Sequence, residues 1–327
     1  MRLAGKRVLV TGAGGFIGSH LTERLVEVGA KTRALVHYRS NGSWGWLDRS
    51  SRKSDVEIVA GDIRDRNCVV SAMRGVDIVF HLAALIGIPY SYAAPASYVD
   101  TNIGGTLNIL QAARDLNVAR VVHTSTSEVY GTARRVPIDE QHPLQGQSPY
   151  SATKIGADKL AESFFLSFGL SVVTMRPFNA FGPRQSERAV IPTIISQSLT
   201  GDVVALGNLH PTRDFNYVAN TVDGFVRCAE ADDVAGQTIN IGSGEETSIG
   251  DIVKKVAAIL GKNVQVRQQE GRQRPQTSEV ERLIADNTLA GKSLGWKPAV
   301  SLDEGLSRTI EWIRENLNEY RTDRYVV

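Results

Sequence analysis

The sequence predicts an α/β fold: a doubly wound parallel sheet with helices on both faces and a smaller, interleaved C-terminal lobe. Three observations predict it. Short β-branched runs alternate with helical patterns through the first half of the chain. Those runs are apolar almost without interruption, as suits strands buried on both faces. After Pro177 proline and glycine become frequent and the alternation loosens.

Arg7–Thr11 reads as the first strand, followed by an amphipathic helix over Phe16–Val28 that Gly29 stops. Lys31–His37, Val56–Ala60, Asp77–Leu82, Val118–Thr124 and Leu170–Arg176 read as further strands. Helical patterns cover Arg66–Arg74, Thr101–Leu116 and Thr153–Phe168, the last with small residues on one face. Beyond Pro177 helices are expected at Val190–Thr200, Val218–Ala231, Ile249–Leu260 and Leu302–Asn318. Thr238–Ile241 is apolar and β-branched and is expected to rejoin the main sheet. The expected division is therefore residues 1–178 joined by 212–244 as one domain, with 179–211 and 245–327 forming the lobe. Ser40–Asp55 is polar but carries Trp44 and Trp46, which argues for an ordered loop. No repeat or low-complexity tract interrupts the chain.

At 327 residues, 42% hydrophobic and 22% charged, the chain has ample material for a core. Its 37 basic and 35 acidic residues leave a formal charge of +2, no field for nucleic acid or an anionic membrane. A small-molecule partner is expected. Cys68 and Cys228 show no metal-ligand spacing, so buried thiols in a reducing compartment are expected and no metal site. The N-terminal apolar run is too short for a signal peptide, and no stretch approaches the ~18 apolar residues of a membrane span. Cytoplasmic placement follows as an expectation.

Thr11-Gly-Ala-Gly-Gly-Phe-Ile-Gly18 lies between the first strand and the first helix. Small residues let backbone approach a pyrophosphate, and a helix N-terminus offers unpaired N–H groups and positive potential. The spacing of Gly12, Gly15 and Gly18 departs from GxGxxG, but the strand–turn–helix context is that of a Rossmann-type dinucleotide site. The second strand ends without an Asp or Glu for the adenosine ribose. Arg39 and Ser40 stand there instead, which favours the 2′-phosphate of NADP over NAD. Asp62 and Ile63, after the third strand, are placed to reach the adenine edge; otherwise Asp62 begins a turn or caps a helix.

Tyr150 and Lys154 lie four residues apart at a helix start, on one face. An ammonium beside a phenol favours phenolate, lowering the tyrosine toward working pH, where it can take a proton from a sugar hydroxyl. The preceding strand ends in His123-Thr-Ser-Thr-Ser-Glu128, rich in hydroxyls and carrying one carboxylate. His81 and His123 are single histidines on strands, expected to be packed or hydrogen-bonded rather than catalytic.

Taken in order, Thr11–Gly18, His81–Ala84, Ser125–Gly131, Tyr150–Lys154, Arg176–Asn179 and Arg213–Phe215 resemble the extended short-chain dehydrogenase/reductase family, whose members modify nucleotide sugars. The resemblance covers essentially the whole chain. Ser125–Gly131 resembles the nucleotide-sugar 4,6-dehydratases, closest to the GDP-mannose type. Asn41–Leu47, Ile88–Tyr92 and His142–Tyr150 resemble a subgroup acting on N-acetylhexosamines in the legionaminic-acid type of pathway.

The resemblance implies that Tyr150 takes the C4 hydroxyl proton while hydride passes to the nicotinamide, and that Thr126 steadies the ketone. Glu128 then removes the C5 proton, water leaves C6, and hydride returns to C6. The product is a 4-keto-6-deoxy sugar and a tightly bound NAD(P) is recycled. Lys154 would hold the nicotinamide ribose. Phe16, Ile17, Leu82, Ala83, Ala84, Thr124 and Pro177 join the glycines as expected cofactor contacts. Ser91, Asn179, Arg184, Arg213 and Arg274 are the expected substrate contacts, the arginines being suited to phosphate. Glu279 and Glu281 could read a base or ribose. Many relatives carry Asp as the acid where this chain has Ser127, and a serine hydroxyl is too weak an acid for that step. Either Glu128 serves both proton steps or the acid lies elsewhere, and Ser127 makes a structural hydrogen bond. UDP-glucuronate decarboxylation and 4-epimerisation are the competing reactions. A non-catalytic NAD(P)-binding regulator is disfavoured by the intact Thr126, Glu128, Tyr150 and Lys154. A homodimer packed through Thr101–Leu116 and Thr153–Phe168 is expected.

Overall fold

The computed structural model describes residues 1–269 and 275–320. Its main sheet holds β1 (Arg7–Thr11), β2 (Lys31–Val36), β3 (Val56–Ala60), β4 (Ile78–His81), β5 (Arg120–Thr124), β6 (Val172–Pro177) and the strand Thr238–Ile241. Every neighbouring pair is parallel, and the order across the sheet is Thr238–Ile241, β6, β5, β4, β1, β2, β3. Thr238–Ile241 does rejoin the sheet, at its edge beside β6. The order reverses between β1 and β4, where Thr11 lies opposite His81 at the carboxyl ends of both strands. Such a switch point opens the crevice that binds ligands in this kind of sheet.

Alternation along the strands feeds two cores. Val8, Val10 and Phe80 enter one, Leu9, Val79 and Val121 the other, and all are fully buried. The helices that cover the first sheet strands are α1 (Phe16–Glu27), α2 (Arg66–Met73), α3 (Ile88–Ala93), α4 (Pro95–Tyr98), α5 (Gly105–Asp115) and α6 (Pro149–Phe168). The segment Val99–Gly104 is a π-turn, so the helix expected from Thr101 is regular only from Gly105. The helices Val190–Thr200, Val218–Glu230, Ile249–Leu260 and Leu302–Glu315 lie within a few residues of their expected bounds.

Three two-stranded sheets had no sequence signal. Asn179–Phe181 pairs with Phe215–Tyr217, Thr212–Arg213 with Thr247–Ser248, and Val203–Leu206 with Gln265–Gln268. Two of these pairs use strands of two or three residues, too short for alternation to register, and the third is mostly exposed and polar along Gln265–Gln268. The loop after β2 is ordered through 3₁₀ turns at Gly45–Arg49 and Lys53–Asp55, and Trp46 stands edge-on to Trp312 with ring centroids 5.4 Å apart. Among the described residues no helix is long and apolar enough to cross a membrane.

Candidate active site

The crevice at the switch point is a cleft of about 1640 Å³. Gly12 has φ +70°, and a Cβ there would lie 2.9 Å from the Ala83 nitrogen, so only glycine lets β1 and the β4 end approach. Thr11 locks the approach. Its Oγ1 accepts from the Leu82 and Ala83 nitrogens at 3.0 Å each, which leaves its proton for His81 Nδ1 at 2.9 Å. His81 therefore carries its proton on Nε2 and donates to Thr106 Oγ1 at 3.0 Å. Burial holds it well below the usual histidine range, so it is a neutral structural link, as expected.

Gly12, Gly15, Phe16, Ile17 and Gly18 line the cleft floor, with Leu82, Ala83 and Ala84 beside them. The loop after β2 lies across this turn: Trp46 N donates to Gly14 O at 3.0 Å, and a Cβ on Gly14 would meet Trp44 O at 2.3 Å. At this end Arg39, Asp62 and Ile63 all line the cleft. Asp62 is engaged by Arg64 at 2.6 Å, and that contact holds its carboxyl below the usual range. The structure adds a carboxylate that strand-end reasoning missed. Asp48 reaches the same rim, held low first by a 2.7 Å hydrogen bond from Ser43 and also by the charges of Lys53 and Arg39.

The other end of the cleft is set by α6. Ser148 accepts from Ser151 N at 3.1 Å while Ser151 Oγ accepts from Ser148 N at 3.0 Å, a reciprocal cap with Pro149 at the first helical position. The cap fixes where Tyr150 and Lys154 begin their helix, and both are buried. Lys154 Nζ donates to the Thr124 carbonyl, and burial lowers its ammonium to about 8. Thr126 Oγ1 accepts from Glu128 N at 3.2 Å, starting the 3₁₀ turn Ser127–Tyr130 that aims Glu128. Tyr150 meets both: a hydrogen bond with Thr126 favours its phenolate and the Glu128 charge opposes it. The expected lowering of Tyr150 by Lys154 is not what the structure shows. Burial dominates and pushes the phenol above its ordinary value, with the Glu128 charge adding to it.

Beneath this loop is a buried polar network. Asp158, one turn after Lys154, accepts from Ser125 Oγ at 2.6 Å, His123 Nε2 at 3.1 Å and Arg176 Nη2 at 3.0 Å. Arg176 Nη1 donates to Tyr130 Oη at 2.9 Å, and Tyr130 donates to Asn240 Oδ1 at 2.8 Å. These bonds and the Arg176 charge outweigh burial and lower Asp158 to about 2, while burial lowers His123.

Thr124, Ser127, Pro177 and Asn179 also line the cleft. Thr124 Oγ1 and Asn179 Oδ1 are buried there with no hydrogen-bond partner among the described residues. These orphan groups, the glycine floor and the Lys154 cation fit a dinucleotide with a second ligand beyond it. Arg213 lines the cleft and pairs with Glu279 at 3.4 Å. One expected contact is corrected. Ser91 is fully buried, donates to Ile88 O at 2.7 Å and closes the first turn of α3 instead of facing the cleft. Arg184 reaches the cleft but is held in a two-point ion pair by Glu23, 3.0 Å at each nitrogen, which ties its loop to α1. Arg274 lies outside the described residues.

The family model described as GDP-mannose 4,6 dehydratase matches residues 9–309. The chain belongs to that family. Like other members of the GDP-mannose 4,6 dehydratase family it is an enzyme of the nucleotide-sugar dehydratase and epimerase group. It is 34% identical to a UDP-glucose 4-epimerase of Mycolicibacterium smegmatis, over 94% of this chain and 98% of that one. Among solved structures it resembles a dTDP-glucose 4,6-dehydratase of Streptomyces venezuelae with NAD bound, at TM-score 0.87 and 31% identity, covering 96% and 99% of the two chains. It also resembles a UDP-glucuronic acid 4-epimerase of Bacillus cereus with NAD bound, at TM-score 0.88 and 29% identity, covering 95% and 99%. Relatives within this family thus divide between dehydration and epimerisation.

Proposed function

We propose that the chain is an NAD(P)-dependent nucleotide-sugar 4,6-dehydratase acting on a UDP- or GDP-linked N-acetylhexosamine. The observation that carries this reading is Glu128 beside Thr126 and Tyr150 in the cleft. A carboxylate next to the C4 oxidation site has work in a dehydratase, where the C5 proton must leave, and none in a 4-epimerase. When bound, the nicotinamide supplies a hydride acceptor at C4 and a donor for C6. Tyr150 accepts the C4 hydroxyl proton, Thr126 steadies the oxygen, and Glu128 removes the C5 proton. Burial pushes the Tyr150 phenol up, so facing cations are what would make it a base. Lys154 and the oxidised nicotinamide ring are the two candidates. Ser127, 2% exposed, is assigned a structural role, which leaves Glu128 to return the proton to the departing C6 oxygen, and after hydride returns to C6 a solvent proton restores C5. Asn179 and Arg213 are assigned to the diphosphate, with Glu279 orienting Arg213.

Arg39 favours NADP, and Asp48 on the same rim is the group that resists a 2′-phosphate. Residues 1–178 with 212–244 carry the cofactor, and 179–211 with 245–327 carry the substrate. A homodimer through α5 and α6 belongs to the same reading, supported by Leu166 and Phe168 standing 73% and 53% exposed on α6. Cytoplasmic action is consistent with two free thiols.

UDP-glucuronate decarboxylation is the second reading, favoured by one cation at the sugar end, Arg188. Incubation with UDP- and GDP-N-acetylglucosamine and UDP-glucuronate, read by mass spectrometry, separates the two. Loss of water from an N-acetylhexosamine supports dehydration; loss of carbon dioxide from UDP-glucuronate overturns it.

A further inference from the structure

Between β4 and α3 the chain runs through Leu85, Ile86 and Gly87 along the cleft wall. Asn102 pins this segment, accepting from Leu85 N at 2.9 Å and donating to Leu85 O at 3.0 Å. Tyr98 Oη donates to Gly87 O at 2.5 Å, and the Tyr98 ring stands edge-on to Tyr150 with centroids 6.3 Å apart. The wall is therefore rigid and tied to the Tyr150 ring.

Gly87 has φ −72°, which any residue adopts. A Cβ on Gly87 would lie 2.7 Å from Arg188 Nη1, so a side chain there would displace the guanidinium. The guanidinium crosses the space a side chain would fill, one aromatic ring from Tyr150. Arg176 is held by Asp158, Arg184 by Glu23 and Arg213 by Glu279. Arg188 differs. Its backbone nitrogen and Nε both donate to Ser186 Oγ at 3.4 Å, and among the described residues no carboxylate lies within ion-pair distance of it. Exposed Ile86 and Tyr90, 59% and 43%, give the same part of the cleft an apolar lining.

A planar fork of donors with no carboxylate partner binds an oxygen acceptor, and a carbonyl or carboxylate oxygen, which only accepts, matches it better than a sugar hydroxyl. We propose that Arg188 is a specificity-determining residue that hydrogen-bonds an acceptor oxygen carried on the sugar ring, the carbonyl of an acylamino group or the carboxylate of a uronic acid, with Gly87 kept small to admit the guanidinium. This rests on the nucleotide-sugar reading of the site. Ile86 and Tyr90 suit the methyl of an acylamino group better than a carboxylate.

The test is calorimetric binding to the NAD(P)-loaded protein, with UDP-N-acetylglucosamine, GDP-N-acetylglucosamine, UDP-glucuronate, UDP-glucose and UDP as probes. The wild type should bind one substituted sugar at least about tenfold more tightly than UDP-glucose, and which one it prefers distinguishes carbonyl from carboxylate. Arg188→Gln should erase that preference and leave UDP and UDP-glucose affinity unchanged. Gly87→Ala, which displaces the guanidinium without removing it, should move the preference in the same direction. If Arg188→Gln weakens all probes equally, or none, Arg188 does not read the substituent and the proposal is overturned. If the wild type binds NAD(P) but no nucleotide sugar, the proposed function falls and the role of Arg188 with it.

Discussion

Asp158 and Arg176 form a buried ion pair, Oδ2 to Nη2 3.0 Å, whose two members grip opposite ends of one segment. Asp158 takes the Ser125 hydroxyl and Arg176 holds the Tyr130 phenol, so Thr126, Ser127 and Glu128 are suspended between two fixed points. Removing one member leaves the other charge buried and unpaired. Asp158→Ala should cost about 3–5 kcal/mol, read as a fall in the urea midpoint at unchanged slope.

The same pair gives acid sensitivity. The Asp158 carboxyl is lowered from 3.8 to about 2, so its contribution is present above its unfolded value and is lost as pH falls through the folded one. Wild-type stability should drop over that interval, and Asp158→Asn should show a smaller drop in acid denaturation followed by circular dichroism.

Lys154 predicts an alkaline limit. Its folded value of about 8 lies below the ordinary 10.5, so folding disfavours the ammonium, and its charge is present below about pH 8 and lost above it. Cofactor affinity, measured by nucleotide fluorescence, should weaken through a midpoint near pH 8. Lys154→Met should bind weakly at every pH, without that midpoint.

For Glu128 the expected result is a split between partial reactions. Glu128→Gln should bind cofactor and substrate as the wild type does, while solvent deuterium entry at C5 falls about 10²–10⁴-fold. Exchange at the wild-type rate would remove Glu128 as the base.

Gly14→Ala places a methyl carbon 2.3 Å from the Trp44 carbonyl, backbone against backbone, and the loop over the glycine turn must move. Weaker cofactor binding and altered emission from Trp44 and Trp46 are expected together. At the neighbouring rim, Arg39→Ala should weaken NADP more than NAD, and Asp48→Asn should do the reverse. Equal effects on both cofactors would remove the 2′-phosphate argument.

The main sheet was legible in the sequence because apolar strands of four to six residues alternating with helices carry a periodic signal. The glycine turn, Tyr150, Lys154, Thr126 and Glu128 were legible because each is local: a turn, one helix face, one strand end. Asp158 lay within reach of the same reasoning, four residues beyond Lys154 on α6, but nothing in its spacing names Arg176 or Ser125 as partners.

What the sequence determined by itself is the covalent menu: which groups can hold a pyrophosphate, take a proton or carry a charge. Tertiary structure decided which of them are spent and which remain available. Identical guanidinium groups on Arg184 and Arg188, four residues apart, end differently because Glu23 stands opposite one and the backbone of Gly87, with no carboxylate among the described residues, opposite the other. Coulomb attraction and steric exclusion act between side chains that folding brings together, and for these two the partners are 161 and 101 positions away in the chain.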